Sequence, residues 1–152
     1  MIGLREWHRD GYSLSTDPSR LQLNVVHGFL TESYWAAGIP RDTVARSIRG
    51  SITLGVYHGN KQVGFARVIS DCATFAYLAD VFIVEAHRGR GLARWMVECI
   101  LAIPELQGLR RWLLVTREAH ALYRGAGFTE IRNPEGFMEI VRRDLYRVPE
   151  KG

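Results

Sequence analysis

No run of about 18 uncharged apolar residues occurs in the chain, so no helix long enough to cross a bilayer is expected. Arg5, Glu6, His8, Arg9 and Asp10 interrupt the first segment early, a pattern that does not fit a signal peptide. A soluble, cytoplasmic protein without a membrane partner is the expectation. Cysteine is scarce: Cys72 and Cys99 lie in apolar surroundings with no Cys-x-x-Cys spacing. Neither a disulfide framework nor a zinc centre is implied, and both read as small buried hydrophobes. Repeats, low-complexity stretches and Gly-, Ser- or Pro-rich linkers are missing too, so 152 residues with 47% hydrophobic content predict one domain over residues 1–152 around one core. Lysine is nearly absent, since 18 of the 20 basic residues are arginine. The planar arginine fork suits phosphates, which leaves a nucleotide-like cofactor and nucleic acid open as polyanionic ligands.

What is present is an ordered series of elements. A short strand is predicted near Tyr12 to Ser15, and Asp17 before Pro18 reads as a helix N-cap with proline in the first turn. Leu21, Val25 and Phe29 recur at helical spacing, with Val26 and Leu30 beside them. The segment from Thr31 to Pro40 breaks the pattern, and a second helix follows through Val44 and Ile48 until Gly50. Ile52, Leu54 and Val56 alternate, Gly59-Asn60 supplies a tight turn, and Val63, Phe65 and Ile69 alternate again, as in an antiparallel hairpin. Phe75 to Val84 is too apolar for a half-exposed strand and reads as a central one. Leu92, Met96, Cys99, Ile100 and Ile103 then form a helical stripe ended by Pro104 and Gly108. A strand at Trp112 to Val115, a short helix at Ala119 to Arg124, and two last strands near Phe128 to Ile131 and Phe137 to Val141 complete an α/β fold, a mixed sheet with helices on both faces.

Between the central strand and the striped helix lies Arg88-Gly-Arg-Gly-Leu-Ala93. Glycines there let backbone N–H groups approach a phosphate, and the dipole of the following helix favours negative charge. By itself the stretch is compatible with a structural turn or with a piece of an arginine-glycine RNA-binding segment.

The flanking residues resemble those of the GCN5-related N-acetyltransferase superfamily. Its coenzyme A signature is Arg or Gln, two residues, Gly, one residue, then Gly or Ala, and Arg88, Gly91 and Ala93 stand at those places. A second block, an alanine followed by Leu-Tyr and then Gly-Phe, is matched by Ala119, Leu122-Tyr123 and Gly127-Phe128. The order of elements from about residue 11 to residue 145 agrees with that fold. The resemblance implies a mostly antiparallel mixed sheet whose fourth and fifth strands splay. It implies acetyl-CoA as co-substrate and no metal, with the pantetheine arm along Ile83 and Val84 and the pyrophosphate on the amides of Gly89, Arg90, Gly91, Leu92 and Ala93. Thr116 stands where the family often has Asn.

Acetyl transfer from a thioester to an amine needs a neutral nucleophile, stabilisation of a tetrahedral oxyanion and a proton for the departing thiolate. The resemblance puts the oxyanion near the backbone N–H of Ile83 and makes Tyr123 the proton donor and a coenzyme contact. For the base, Asp80 is the one acid inside the apolar central strand. It reads either as a functional carboxylate or as a structural acid paired with an arginine such as Arg67. Strand alternation puts Tyr77 and Ile83 on one side and Asp80 on the other, so Asp80 reaches the site only if a bulge shifts the register. His120 is the alternative base. The amine acceptor, a small molecule or a peptide, is expected against Tyr34 and Trp35, with Glu32 as a negative charge and Tyr77 joining from the central strand. Two rival readings keep other functions open, a coenzyme A-binding module without catalysis and a basic nucleic-acid-binding domain, and a homodimer is left open.

Overall fold

A computed structural model describes residues 2–147 of the chain. Its strands are β1 (Glu6–Arg9), β2 (Tyr12–Ser15), β3 (Ile52–His58), β4 (Lys61–Ser70), β5 (Phe75–Ile83) and β6 (Arg111–Leu113), lying in chain order in one sheet. Neighbours run antiparallel except β5 and β6, which are parallel. The helices are α1 (Leu23–Thr31), α2 (Arg41–Arg49), α3 (Leu92–Leu101) and α4 (His120–Gly125). A parallel neighbour needs a crossover, and α3 supplies it between β5 and β6.

Period-two alternation divides the sheet residues between two cores. On one face Leu54, Val56, Ala66, Val68 and Leu78 pack with Met96, Ile100 and Ile103 from α3 and the turn after it. On the other, Phe65 and Phe82 meet Val26 and Leu30 of α1 and Val44 of α2. Leu54, Met96, Ile100 and Ile103 are essentially inaccessible, and burial of side chains of this size contributes about 2 kcal/mol each. The helical stripe expected from Leu92 to Ile103 is thus the core face of α3, and Cys99 is buried within it.

Three expectations are corrected. The Asp17-Pro18 signal starts a 3₁₀ turn over Pro18–Arg20, capped by Ser19 N donating to Asp17 Oδ1 at 3.0 Å, and α1 begins only at Leu23. An unexpected strand, β1, pairs with β2; its Glu-Trp-His-Arg sequence is largely exposed and carries no apolar alternation. The two final strands are not formed. Phe128 N turns back to Tyr123 O, Pro134 opens a 3₁₀ turn, and residues 129–145 are exposed, with Met138 at 97% and Ile140 at 95%. The segment joins β6 in no backbone ladder, and meets it through the Arg111 guanidinium over the Phe137 ring at 5.1 Å. No helix among the described residues is long and apolar enough to cross a membrane.

Candidate active site

The site is built where the last two strands of the sheet, β5 and the edge strand β6, part. β5 and β6 pair only from Phe75 to Tyr77 against Arg111 to Leu113, while β5 continues to Ile83. Beyond Tyr77 the two strands part into a wedge. The other edge of β5 stays with β4, where Gly64 faces Ile83 and Val84 N donates to Val63 O at 2.8 Å. Backbone groups of successive residues alternate in direction, so Ile83 turns its own N–H and C=O toward the wedge. Its carbonyl accepts from Arg88 Nε at 2.9 Å, which leaves the N–H available. Val84 is not available in the same way, since its amide goes to Val63 and its carbonyl accepts from His87 N.

At the mouth of the wedge is the glycine turn. Gly89 and Gly91 take left-handed φ values of 78° and 74°, a conformation that costs other L-residues about 1–2 kcal/mol. That conformation turns successive amides the same way. Among the described residues, backbone hydrogen bonding passes from Arg88 N, on Glu85 O, to Trp95 N, on Gly91 O. The amides from 89 to 94 between them have no backbone acceptor. They stand at the N-terminus of α3, where the helix dipole adds positive potential. Six free amides, a helix N-terminus and the exposed guanidinium of Arg90 are a donor set that fits a pyrophosphate. Arg88 serves the turn from within through Ile83 O, and Arg94 is committed to Glu98 and Gly125 O.

Tyr123 comes from α4 and is buried, packed edge-on against Phe128 at 5.8 Å between centroids. Burial, with a smaller contribution from the nearby Tyr34, pushes its phenol up to about 12. Thr116 uses its hydroxyl oxygen to accept from Ala119 N at 3.0 Å, closing the turn that leads into α4. His120, the first residue of α4, is exposed. It lines, with Tyr123 and Thr116, a cleft of about 760 Å³ between β6, α4 and the segment after Phe128. Neither β5 nor the glycine turn lines that cleft.

The bulge that Asp80 required is present. Ala79 faces Arg67 and Phe82 faces Phe65, so Asp80 and Val81 together oppose Ala66, and Asp80 itself has φ 56°. Its carboxylate swings under the loop between α1 and α2. Oδ2 accepts from Arg67 Nε at 2.8 Å and Oδ1 from Trp35 Nε1 at 2.9 Å, while Arg67 Nη1 donates to Ser51. Asp80 is thus paired with Arg67, the arginine named for its structural reading. Tyr77 lies close by, its phenol raised by burial and then by the Asp80 charge. Tyr34 packs edge-on against Trp35 at 5.1 Å, Arg117 stacks on Tyr34 at 3.7 Å, and Phe29 stacks flat on Phe82 at 3.9 Å. Glu32 caps the end of α1 and is exposed. Tyr34, Trp35, Tyr77 and Asp80 are therefore brought together beside the wedge. Phe29 and Arg117 were not among the expected residues, because only tertiary packing sets them against the aromatic wall.

Comparison with known proteins assigns a family to this sheet and its glycine turn. Residues 49–130 match the family described as the acetyltransferase (GNAT) domain. A protein of Gibberella zeae named as a candidate acetyltransferase is 33% identical over 160 residues, covering 90% of this chain and 89% of its own. A crystal structure of a GNAT-family candidate acetyltransferase from Xanthomonas campestris is 43% identical, with a TM-score of 0.89 over 93% of this chain and all of that one. A candidate acetyltransferase from Clostridium acetobutylicum, solved with acetyl-CoA, shares the fold at 12% identity, with a TM-score of 0.62 over 93% of this chain and 96% of its own. The chain belongs to the GNAT acetyltransferase family. Among the described residues no group of three or more His, Cys, Asp or Glu is placed to hold a metal ion.

Proposed function

We propose that the protein is an acetyl-CoA-dependent N-acetyltransferase acting on a primary amine of a small molecule or peptide. The observation that carries this reading is the row of unpaired amides from 89 to 94 at the end of a wedge whose inner edge presents the Ile83 N–H. The coenzyme supplies the acetyl group as an activated thioester. The amides of Gly89 to Ala93, with Arg90, hold its pyrophosphate, and the Ile83 N–H faces the acetyl oxygen, where negative charge develops during transfer. Tyr123 keeps its proton through the neutral range, because burial raises the phenol, and donates it to the departing sulfur. Its hydroxyl is also the natural contact for the end of the pantetheine arm.

Tyr34, Trp35 and Tyr77 bound the acceptor, and Glu32 at the rim favours a cationic amine in solution. Asp80 holds Trp35 and Arg67 in place, a positioning role, since both of its oxygens already accept strong hydrogen bonds. The amine proton then leaves to water or to His120 at the start of α4. A nucleic-acid-binding reading fares worse, because eight arginines are paired with acids: Arg5, Arg20, Arg46, Arg67, Arg94, Arg117, Arg124 and Arg147. The test is a panel of small amines, amino acids and peptides with acetyl-CoA, read as release of free thiol. Acetylation of at least one amine is expected; thermal stabilisation by coenzyme A with no turnover on any amine would replace this reading with a binding module.

A further inference from the structure

The hairpin formed by β1 and β2 lies outside the stretch that matches the family, yet it reaches the glycine turn at two points. Asp10 and Gly11 join the strands, with φ values of 50° and 81°, a two-residue turn that sets Arg9 directly opposite Tyr12. Opposed residues of an antiparallel pair project on the same side, and both side chains go to the turn. Tyr12 Oη lies 2.7 Å from His87 Nδ1, just before Arg88. Arg9 Nη2 donates to Arg90 O at 3.5 Å and Gly91 O at 3.3 Å, just after it, while the Arg9 guanidinium stacks over the buried Trp95 at 4.9 Å. A Cβ on Gly91 would sit 3.5 Å from that same Nη2.

A turn that aims its amides at an anion points carbonyls elsewhere, and those carbonyls need donors. Arg9 supplies one from behind, a single Nη2 shared between Arg90 O and Gly91 O, with its planar group resting on Trp95 for orientation. The Tyr12–His87 contact fixes the entry to the turn, and the Arg9 contacts fix its exit. We infer that the Arg9–Tyr12 hairpin is a clamp that holds the glycine turn in its anion-binding conformation, with Arg9 as a positioning residue for coenzyme affinity. This inference rests on the coenzyme reading of the turn. The clamp acts before the coenzyme arrives, so its removal loosens the free protein and weakens binding, and the loss falls on coenzyme Kd and KM rather than on kcat.

The experiment compares the parent protein with Arg9→Ala, Arg9→Lys and Tyr12→Phe. Coenzyme A is titrated by calorimetry, and hydrogen exchange is followed without ligand at the bonded amides flanking the turn, Arg88 on Glu85 O and Trp95 on Gly91 O. Arg9→Ala should weaken coenzyme A binding by about tenfold, in line with loss of hydrogen bonds from a charged group, and speed exchange at Arg88 and Trp95. Tyr12→Phe keeps the buried ring and should act in the same direction by a smaller factor. Arg9→Lys keeps the charge but loses the planar group that stacks on Trp95, and should stay nearer to Arg9→Ala than to the parent. Parental affinity in Arg9→Lys would reduce Arg9 to a point charge and overturn the clamp. Affinity within twofold of the parent in Arg9→Ala, or unchanged exchange, would overturn it as well. A parent protein that does not bind coenzyme A would sink the coenzyme reading itself, and the clamp with it.

Discussion

Trp35 Nε1 donates to Asp80 Oδ1 at 2.9 Å, tying the loop between α1 and α2 to the bulge of the central strand. That one bond fixes an aromatic wall of the proposed acceptor site to the strand that borders the wedge. The second oxygen of the same carboxylate holds Arg67, and both side chains of that ion pair are largely withdrawn from solvent.

Replacing Asp80 by Asn should therefore act first on stability. It removes the charge opposite Arg67, and loss of one partner of a buried pair typically costs about 3–5 kcal/mol, less here because some solvent remains. We expect a loss of roughly 2–3 kcal/mol in urea unfolding. Turnover per folded molecule should drop only modestly, with a raised acceptor KM as Trp35 loosens. A stable variant that lost turnover together with an acidic limb of the pH–rate profile would make Asp80 the base.

Gly91 tests the turn. Acetyl-CoA at about a hundred times its dissociation constant should raise the parent's melting temperature by roughly 5–10 °C. Gly91→Glu forces a side chain into a left-handed position beside Arg9 and sets a carboxylate near the amides from 89 to 94. The shift, measured against each protein's own ligand-free melting point, should vanish in the variant. Equal shifts in both proteins would remove the turn from the coenzyme site.

Removing the Tyr123 hydroxyl as Tyr123→Phe keeps the ring against Phe128. Turnover with a confirmed acceptor should fall by about a hundredfold, the usual contribution of a general acid, with little change in coenzyme affinity. With the phenol pushed up to about 12, the parent's donor stays protonated, so its activity should not decline through pH 10 from loss of this proton. Turnover of the variant within twofold of the parent at every pH would make Tyr123 structural.

Tyr57 should govern stability in alkali. Its hydroxyl is buried without a hydrogen-bond partner, close against Gly55, where any Cβ would collide with it. Burial pushes the phenol up from 10.0 to about 12. The unfolded chain thus releases its proton first, and the stability held below pH 10 is lost as pH rises toward 12. Tyr57→Phe should be neutral or stabilising by about 1 kcal/mol at pH 8 and should flatten the decline between pH 10 and 11, part of which remains with Tyr123. Unfolding midpoints at both pH values provide the measurement, and an unchanged alkaline slope would refute the assignment.

Much of the fold was legible because its signals are local. The hairpin around Gly59-Asn60, the apolar run of β5 and the stripe from Leu92 to Ile103 each follow from spacing within one element, and the Arg88 to Ala93 turn follows from left-handed glycines before a helix. The pairing of Leu122-Tyr123 with Gly127-Phe128 likewise placed Tyr123 on a short helix. Register and reach between distant segments were decided only in three dimensions. Whether Asp80 crosses to the acceptor side depends on a bulge against Ala66, which no periodicity in β5 reveals. Arg9, 81 residues before Arg90, has no local pattern that points to the glycine turn. The segment from Phe128 to Val141 alternates like strand but joins no backbone ladder. Alternation states which side of a strand a residue takes, whereas pairing needs a second backbone at hydrogen-bonding distance, and that is a property of the assembled sheet.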